Sequence, residues 1–306
     1  HNTKPRGAIM SRLALTHTPD LRAPHLIAGF GGWANGGEVS TDVVEFLQSN
    51  LQTESLGEIA ADGLYIHASP TLASRPATVI RQGLIESMRF PANTLHGWRC
   101  PEDGGHDLIL LQGVEPDLLW QEYVEAILAL VERFGVQRVY TIGGYLDHAP
   151  HTRTPRISAV VTETALRAEF TAQDVDLTDY EGPTGIQSYL LAACREQGVQ
   201  GVSLWAGTPT YIEGSYPHVA QAILNLLCRV LRLPVDMQSI EEQAAELEGA
   251  LNEQMDSHPD LADYVKRLER AYDAARSEQP EVDTDVIVEE IQQFLRQRRQ
   301  GPGAGS

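Results

Sequence analysis

Four short apolar runs constrain this chain more than any other feature. They are "HLIAGF" (25–30), "DLILLQG" (107–113), "VQRVYTIGG" (136–144) and "VQGVSLWAG" (199–207). Each has the length and apolar content of a strand covered on both faces. Three of them lead into an amphipathic helical segment. Val39, Val43, Phe46, Leu47 and Leu51 recur at helical spacing across 38–51. Residues 116–135 carry a stronger stripe, with Pro116 at the start and Gly135 just past the end. Residues 217–232 form the third helix, and another is expected over 184–198, opened by Thr184. Residues 57–66 and 156–162 read as extended, and 77–90 as a hairpin turning at Gln82-Gly83. Strands alternating with helices of this length predict a layered α/β fold with a mixed, largely parallel sheet.

After Pro234 the texture changes. Residues 236–300 carry 17 acidic and 7 basic side chains and no strand signal. Ile240, Ala244, Leu247 and Leu251 recur at helical spacing. Leu261, Val265, Leu268 and Tyr272 repeat it, and Ile287, Ile291 and Phe294 follow a similar one. His258-Pro259 and the stretch 279–284 interrupt the run. Short helices with one apolar stripe each are not stable alone. They are expected to pack on each other, on the α/β body or on a partner, as a closing appendage or as a lid or oligomer arm. The expected organisation is an α/β core (10–235), a helical extension (236–300) and a flexible tail (301–306).

The chain of 306 residues has a formal net charge of −19 and only two lysines, Lys4 and Lys266. A field of that sign repels nucleic-acid phosphates and anionic lipid, so neither is an expected partner. Three cysteines without a CxxC pair argue against a disulfide framework or a zinc site and point to a reducing, cytoplasmic compartment. No run reaches the roughly 18–20 apolar residues of a membrane span. Neither a metal nor a cofactor is implied.

Four polar or glycine-rich loops follow strands, and in a parallel sheet such loops share one edge. In "GFGGWANGGEVST" (29–41), Gly31, Gly32 and Asn35 are placed to offer backbone N–H groups and a helix N-terminus to an anion. The dinucleotide pattern fails because Ala34 takes the third glycine's place, and the P-loop pattern fails because Glu38 stands where the lysine belongs. The alternative is a tight turn and close packing, with Glu38 at the favourable end of the helix dipole. "GGYLDHAPHTRTP" (143–155) concentrates Asp147, His148, His151 and Arg153. His148 and His151 at i, i+3 are a weak metal pattern; a substrate or anion pocket and a solvated loop organised by prolines are the other readings. "DYEGPTGI" (179–186) offers Glu181 and Thr184, as caps or as cleft residues. "WAGTPTYIEGSYPH" (205–218) carries Tyr211, Glu213 and His218. Clusters 31–38, 147–153, 181–185 and 211–218 are expected to converge.

These stretches, with "GVEPDLLWQEYVEAIL", resemble the bacterial branch of the family named for proteasome assembly chaperone 2. "VKRLERAYD" (265–273) is similar to the helical C-terminal extension of its long members. The resemblance implies a three-layer α/β core similar to nucleoside phosphorylases and related hydrolases. It also implies a homo-oligomer, and the assembly-chaperone activity of eukaryotic and archaeal members. Two functions follow. One is a non-enzymatic, self-associating protein that binds a protein client. The alternative is an enzyme or small-ligand binder with a phosphorylase-like cleft. That cleft would place Glu38, Asp147, His151 and Glu181 in one pocket, with Arg75, Arg153 or Arg156 facing an anion. No GxSxG elbow is present, and the shortage of lysine argues against an ATP-dependent ligase.

Overall fold

All seven residues of β2 (His25–Gly31) are buried, which demands cover on both faces of the sheet. The computed structural model describes residues 12–69, 72–102 and 105–277. In chain order the elements are β1 (Leu13–Leu15), β2, α1 (Val39–Asn50), β3 (Glu54–Ile59), β4 (Ala77–Arg81), β5 (Leu84–Arg89), β6 (Thr94–Trp98), β7 (Leu108–Val114) and α2 (Trp120–Phe134). They continue with β8 (Arg138–Asp147), β9 (Ile157–Val161), α3 (Thr164–Thr171), β10 (Asp176–Leu177), α4 (Ile186–Glu196), β11 (Gln200–Pro209), α5 (Pro217–Leu231), α6 (Gln238–Ser257) and α7 (Pro259–Ser277).

Nine of these strands form one sheet in the order β1-β3-β6-β7-β2-β8-β11-β9-β10. Its centre, β7-β2-β8-β11, is parallel and holds the longest pairings. The flank β6-β3-β1 is antiparallel, as is β9 against β11. Successive side chains alternate between faces. Ile27, Leu110, Tyr140 and Leu204 therefore pack under α1, α5 and α6, against Val43, Leu47, Ile223 and Ile240. Leu26, Phe30, Ile109 and Val139 face α2 and α4, against Tyr123, Ile127 and Leu190. The result is three layers, with the sheet in the middle. No helix among the described residues is long and apolar enough to cross a membrane.

β4 and β5 stand apart as a two-stranded ribbon. Its turn is Gln82-Gly83, both at positive φ (49° and 80°), the geometry a two-residue hairpin loop requires.

Several local expectations are corrected. The helix expected from Pro116 begins at Trp120, because Leu119 takes a left-handed conformation (φ 56°). Asp117 instead accepts the Ile66 N–H at 2.8 Å, which holds the Pro116–Leu119 stretch as a turn. The extended segment expected over 57–66 lies earlier, as β3, and carries a bulge between Ser55 and Gly57. Thr184 does not open α4; the helix starts at Ile186 behind Gly185, with no side-chain cap from its own turn. The helical break at His258-Pro259 falls between α6 and α7. The stripe Ile287, Ile291, Phe294 and the tail 301–306 lie outside the described residues.

Candidate functional site

The four parallel strands end on one edge, at Gly31, Val114, Asp147 and Pro209. The loops beyond them are tied together through the backbone. Glu115 N–H donates to Gly31 O (2.8 Å), Gly144 N–H to Ala34 O (2.9 Å), Tyr216 N–H to Gly37 O (2.9 Å) and Thr210 N–H to Asp147 O (3.0 Å). Gly37 sits at φ 63°, where a Cβ would lie 2.3 Å from the Thr208 hydroxyl, so the approach needs glycine. Clusters 31–38, 147–153 and 211–218 thus gather on one rim, and Gly185 at the end of 181–185 lies against Ala34 and Glu115 beside them.

Within the first loop, Gly32 O accepts the Asn35 N–H at 3.3 Å. Asn35 Oδ1 accepts the N–H groups of Ser40 (2.8 Å) and Thr41 (3.2 Å). It therefore satisfies donors that the first turn of α1 leaves without partners. Glu38 precedes α1 in a left-handed conformation, with its side chain exposed. Glu115, which the sequence reading did not single out, holds two loops at once. Its Oε1 accepts Ile186 N–H (2.9 Å) at the start of α4, and its Oε2 accepts Trp33 N–H (3.3 Å). Burial pushes its pKa up, against the effect of these two donors. The α4 cap thus comes from a side chain 71 residues away.

In the second loop Asp147 Oδ1 accepts the His148 N–H at 2.7 Å, and His148 is exposed. His151 is only 3% exposed. Its N–H donates to the Tyr211 hydroxyl at 2.7 Å, and its Nδ1 lies 2.7 Å from the same oxygen. The Tyr211 oxygen thus accepts from the backbone and shares a single proton with Nδ1, the tautomer setting which of the two donates. Burial lowers the pKa of His151 and raises that of Tyr211 to about 12. Arg153 reaches α7, donating to Asp273 Oδ2 (2.8 Å) and Glu269 Oε1 (3.2 Å). Thr152 also donates to Glu269 (2.5 Å), and Tyr272 to Thr154 O (3.1 Å). Loop 147–155 is therefore the seat on which α7 docks.

Asp147 and His151 line different cavities, and neither cavity is lined by Glu38 or Glu181. Glu181, Thr184 and Glu213 are exposed. Arg156 donates to Asp176 Oδ2 (2.9 and 2.5 Å), and Arg75 to Ser69 O (2.9 Å). No group of three or more His, Cys, Asp or Glu among the described residues is placed to hold a metal ion.

Asp42, in the first turn of α1, accepts the Ser215 hydroxyl at 2.5 Å and so ties α1 to the fourth loop. Burial, reinforced by Glu38 and Glu45, raises its pKa to about 6. A carboxyl whose folded pKa exceeds the unfolded value of about 4 favours the fold most below that pH and loses the contribution as pH rises through 6. Asp42→Asn is therefore expected to raise stability at pH 7.5 by about 1 kcal/mol after solvent screening, with less gain at pH 4. Urea midpoints at the two pH values check this; equal shifts at both would refute it.

A three-layer α/β protein, with backbone-linked loops at the carboxyl edge of its parallel strands, is the class that fold and site define. The sequence pattern of the PAC2 family matches residues 29–255, and the chain belongs to that family. Its fold matches the Mycobacterium tuberculosis protein of unknown function Rv2714, with a TM-score of 0.78 at 26% identity, over 87% of this chain and 90% of that one. It also matches the Mycobacterium tuberculosis proteasome-assembly chaperone homologue Rv2125, with a TM-score of 0.69 at 28% identity, over 79% of this chain and 99% of that one. The uncharacterized Methanocaldococcus jannaschii protein MJ1210 is 25% identical over 125 residues. That match spans 40% of this chain and about half (47%) of the archaeal protein.

Proposed function

We propose that this protein is a self-associating, protein-binding factor of assembly-chaperone type. The observation that carries the reading is the β4–β5 ribbon. Ile80, Leu84 and Ile85 are 61%, 73% and 67% exposed, and Met88 and Phe90 are exposed beside them. Ile80 and Ile85 face each other across the two strands. A two-stranded ribbon is marginal in water without a covering surface, and clustered exposed apolar side chains mark interaction sites. The ribbon's covering surface is a second copy of the chain, and the client occupies the rim of strand-end loops, where Trp33, Tyr145 and Leu146 are exposed. Membership of the PAC2 family, and likeness to a protein described as a proteasome-assembly chaperone homologue, support the chaperone side of this reading.

Light scattering on the full chain is expected to show an oligomer. The triple variant Ile80→Ser, Leu84→Ser, Ile85→Ser is expected to reduce it to a monomer with an unchanged circular dichroism spectrum. A monomeric parent protein, or an oligomer indifferent to the three serines, would overturn the self-association.

A further inference from the structure

A second feature is independent of the ribbon. A cavity of about 600 Å³ opens between α5, the segment before β9, the turn before β10, and α6. Its volume lies in the range of small-molecule sites. One wall is a polar stripe of α5. His218, Gln221, Asn225 and Arg229 recur at i, i+3, i+7 and i+11, while Ile223, Leu224, Leu227 and Leu231 bury the other side of the helix. Polar residues dominate the lining, which excludes a lipid or hydrocarbon guest.

The unused hydrogen-bonding groups say what fits. Among the described residues, Arg229 has no acidic partner and makes one side-chain hydrogen bond, from Nε to Gln173 Oε1 at 3.5 Å. Arg156 spends Nε and Nη2 on one oxygen of Asp176, and its Nη1 has no hydrogen bond among the described residues. Planar guanidinium donors of this kind match the oxygens of phosphate or carboxylate. The amides of Gln221 and Asn225 make no hydrogen bond to the described protein, and each both donates and accepts, as sugar hydroxyls do. At the far end, buried His151 has an Nε2 with no hydrogen bond of normal geometry, although the Asn252 amide lies alongside. Glu248 and Asp176 supply acceptors for hydroxyl protons. In a chain of net charge −19 the general field repels anions, so an oxyanion is held only where such arginines are local.

We propose that this cavity binds a small polyhydroxylated oxyanion, a sugar phosphate or a sugar acid, with Arg229 and Arg156 on the anionic group and the α5 amides on the hydroxyls. Calorimetry on the full chain with ribose 5-phosphate, gluconate, ribose, inorganic phosphate and glutamate tests it. Saturable binding of ribose 5-phosphate or gluconate, tighter than ribose or phosphate alone, is the expected result, and the tighter of the two identifies the anionic group. Arg229→Gln should weaken that binding about tenfold or more, since it removes charge-assisted bonds. Asn225→Asp adds a negative charge at the same wall and should weaken it as well. Arg229 and Asn225 lie outside the buried face of α5, so both variants should fold. Absence of binding by both oxyanions, tighter binding of glutamate, or affinity unchanged in both variants would overturn the proposal. None of these outcomes bears on the oligomeric state.

Discussion

Gly29→Val is expected to leave no cooperatively folded protein at 25 °C, and Gly29→Ala to lose about 3 kcal/mol or more, beyond ordinary overpacking. Gly29 lies in β2, between Gln112 of β7 and Ile142 of β8. A Cβ built on it would stand 2.0 Å from the backbone oxygen of Ser40 and 2.8 Å from Val44 Cγ2. Neither neighbour can step aside. Ser40 is pinned by its own hydroxyl, which accepts Phe30 N–H (2.8 Å) and donates to Ile142 O (2.7 Å). The contact sets how closely α1 crosses the sheet and therefore where the first loop of the rim sits. Urea denaturation followed by tryptophan fluorescence measures the loss. A midpoint for Gly29→Ala within error of the parent would show that α1 can shift, contrary to this account.

Asn93→Ala is expected to lose about 3 kcal/mol, because a buried acceptor that serves three donors disappears. Asn93 is fully buried just before β6. Its Oδ1 accepts the hydroxyls of Tyr65 (2.8 Å) and Tyr123 (2.9 Å) and the Val114 N–H (3.2 Å), and its Nδ2 donates to Ile59 O (3.3 Å). One amide thus joins the end of β3, the end of β7 and α2. Burial pushes the pKa of both phenols up, so ionisation offers them no escape. Tyr123→Phe should cost less than the asparagine change, and adding it to Asn93→Ala should cost less than the sum, since the orphaned hydroxyl is then gone. Strict additivity in urea midpoints would count against a shared network.

The stripe of α1 shows how much was legible beforehand. Val39, Val43, Phe46, Leu47 and Leu51, chosen by spacing alone, are all buried. The ribbon turn at Gln82-Gly83 was equally readable, because a two-residue loop depends on the φ of its own two residues. β6 and α3 escaped notice. β6 is five residues of which three, Thr94, His96 and Gly97, are small or polar, and the hydrophobic face of α3 is reduced to Leu166 and Phe170. The rim was legible as a set of loops but not as a set of contacts. Asn35 lies in a loop that the sequence leaves open between an anion cradle and a tight turn, and its side chain caps α1. Arg153 is one of three arginines that the sequence offers to an anion, and it grips Glu269 and Asp273 of α7. Glu115, central to two loops, carried no local signal at all.

The sequence by itself determined the four central strands, the main helices and the α/β class, because apolar periodicity is a property of neighbouring residues and survives any arrangement of the whole. Tertiary structure alone decided which charges are free. An arginine or carboxylate is bound or available according to what lies within about 3 Å of it. Those partners came from 71 residues away for Glu115 and 120 for Arg153. The same holds for apolar side chains. Ile80 and Ile85 have the composition of a core, and only the packing of the rest of the chain left them facing outward.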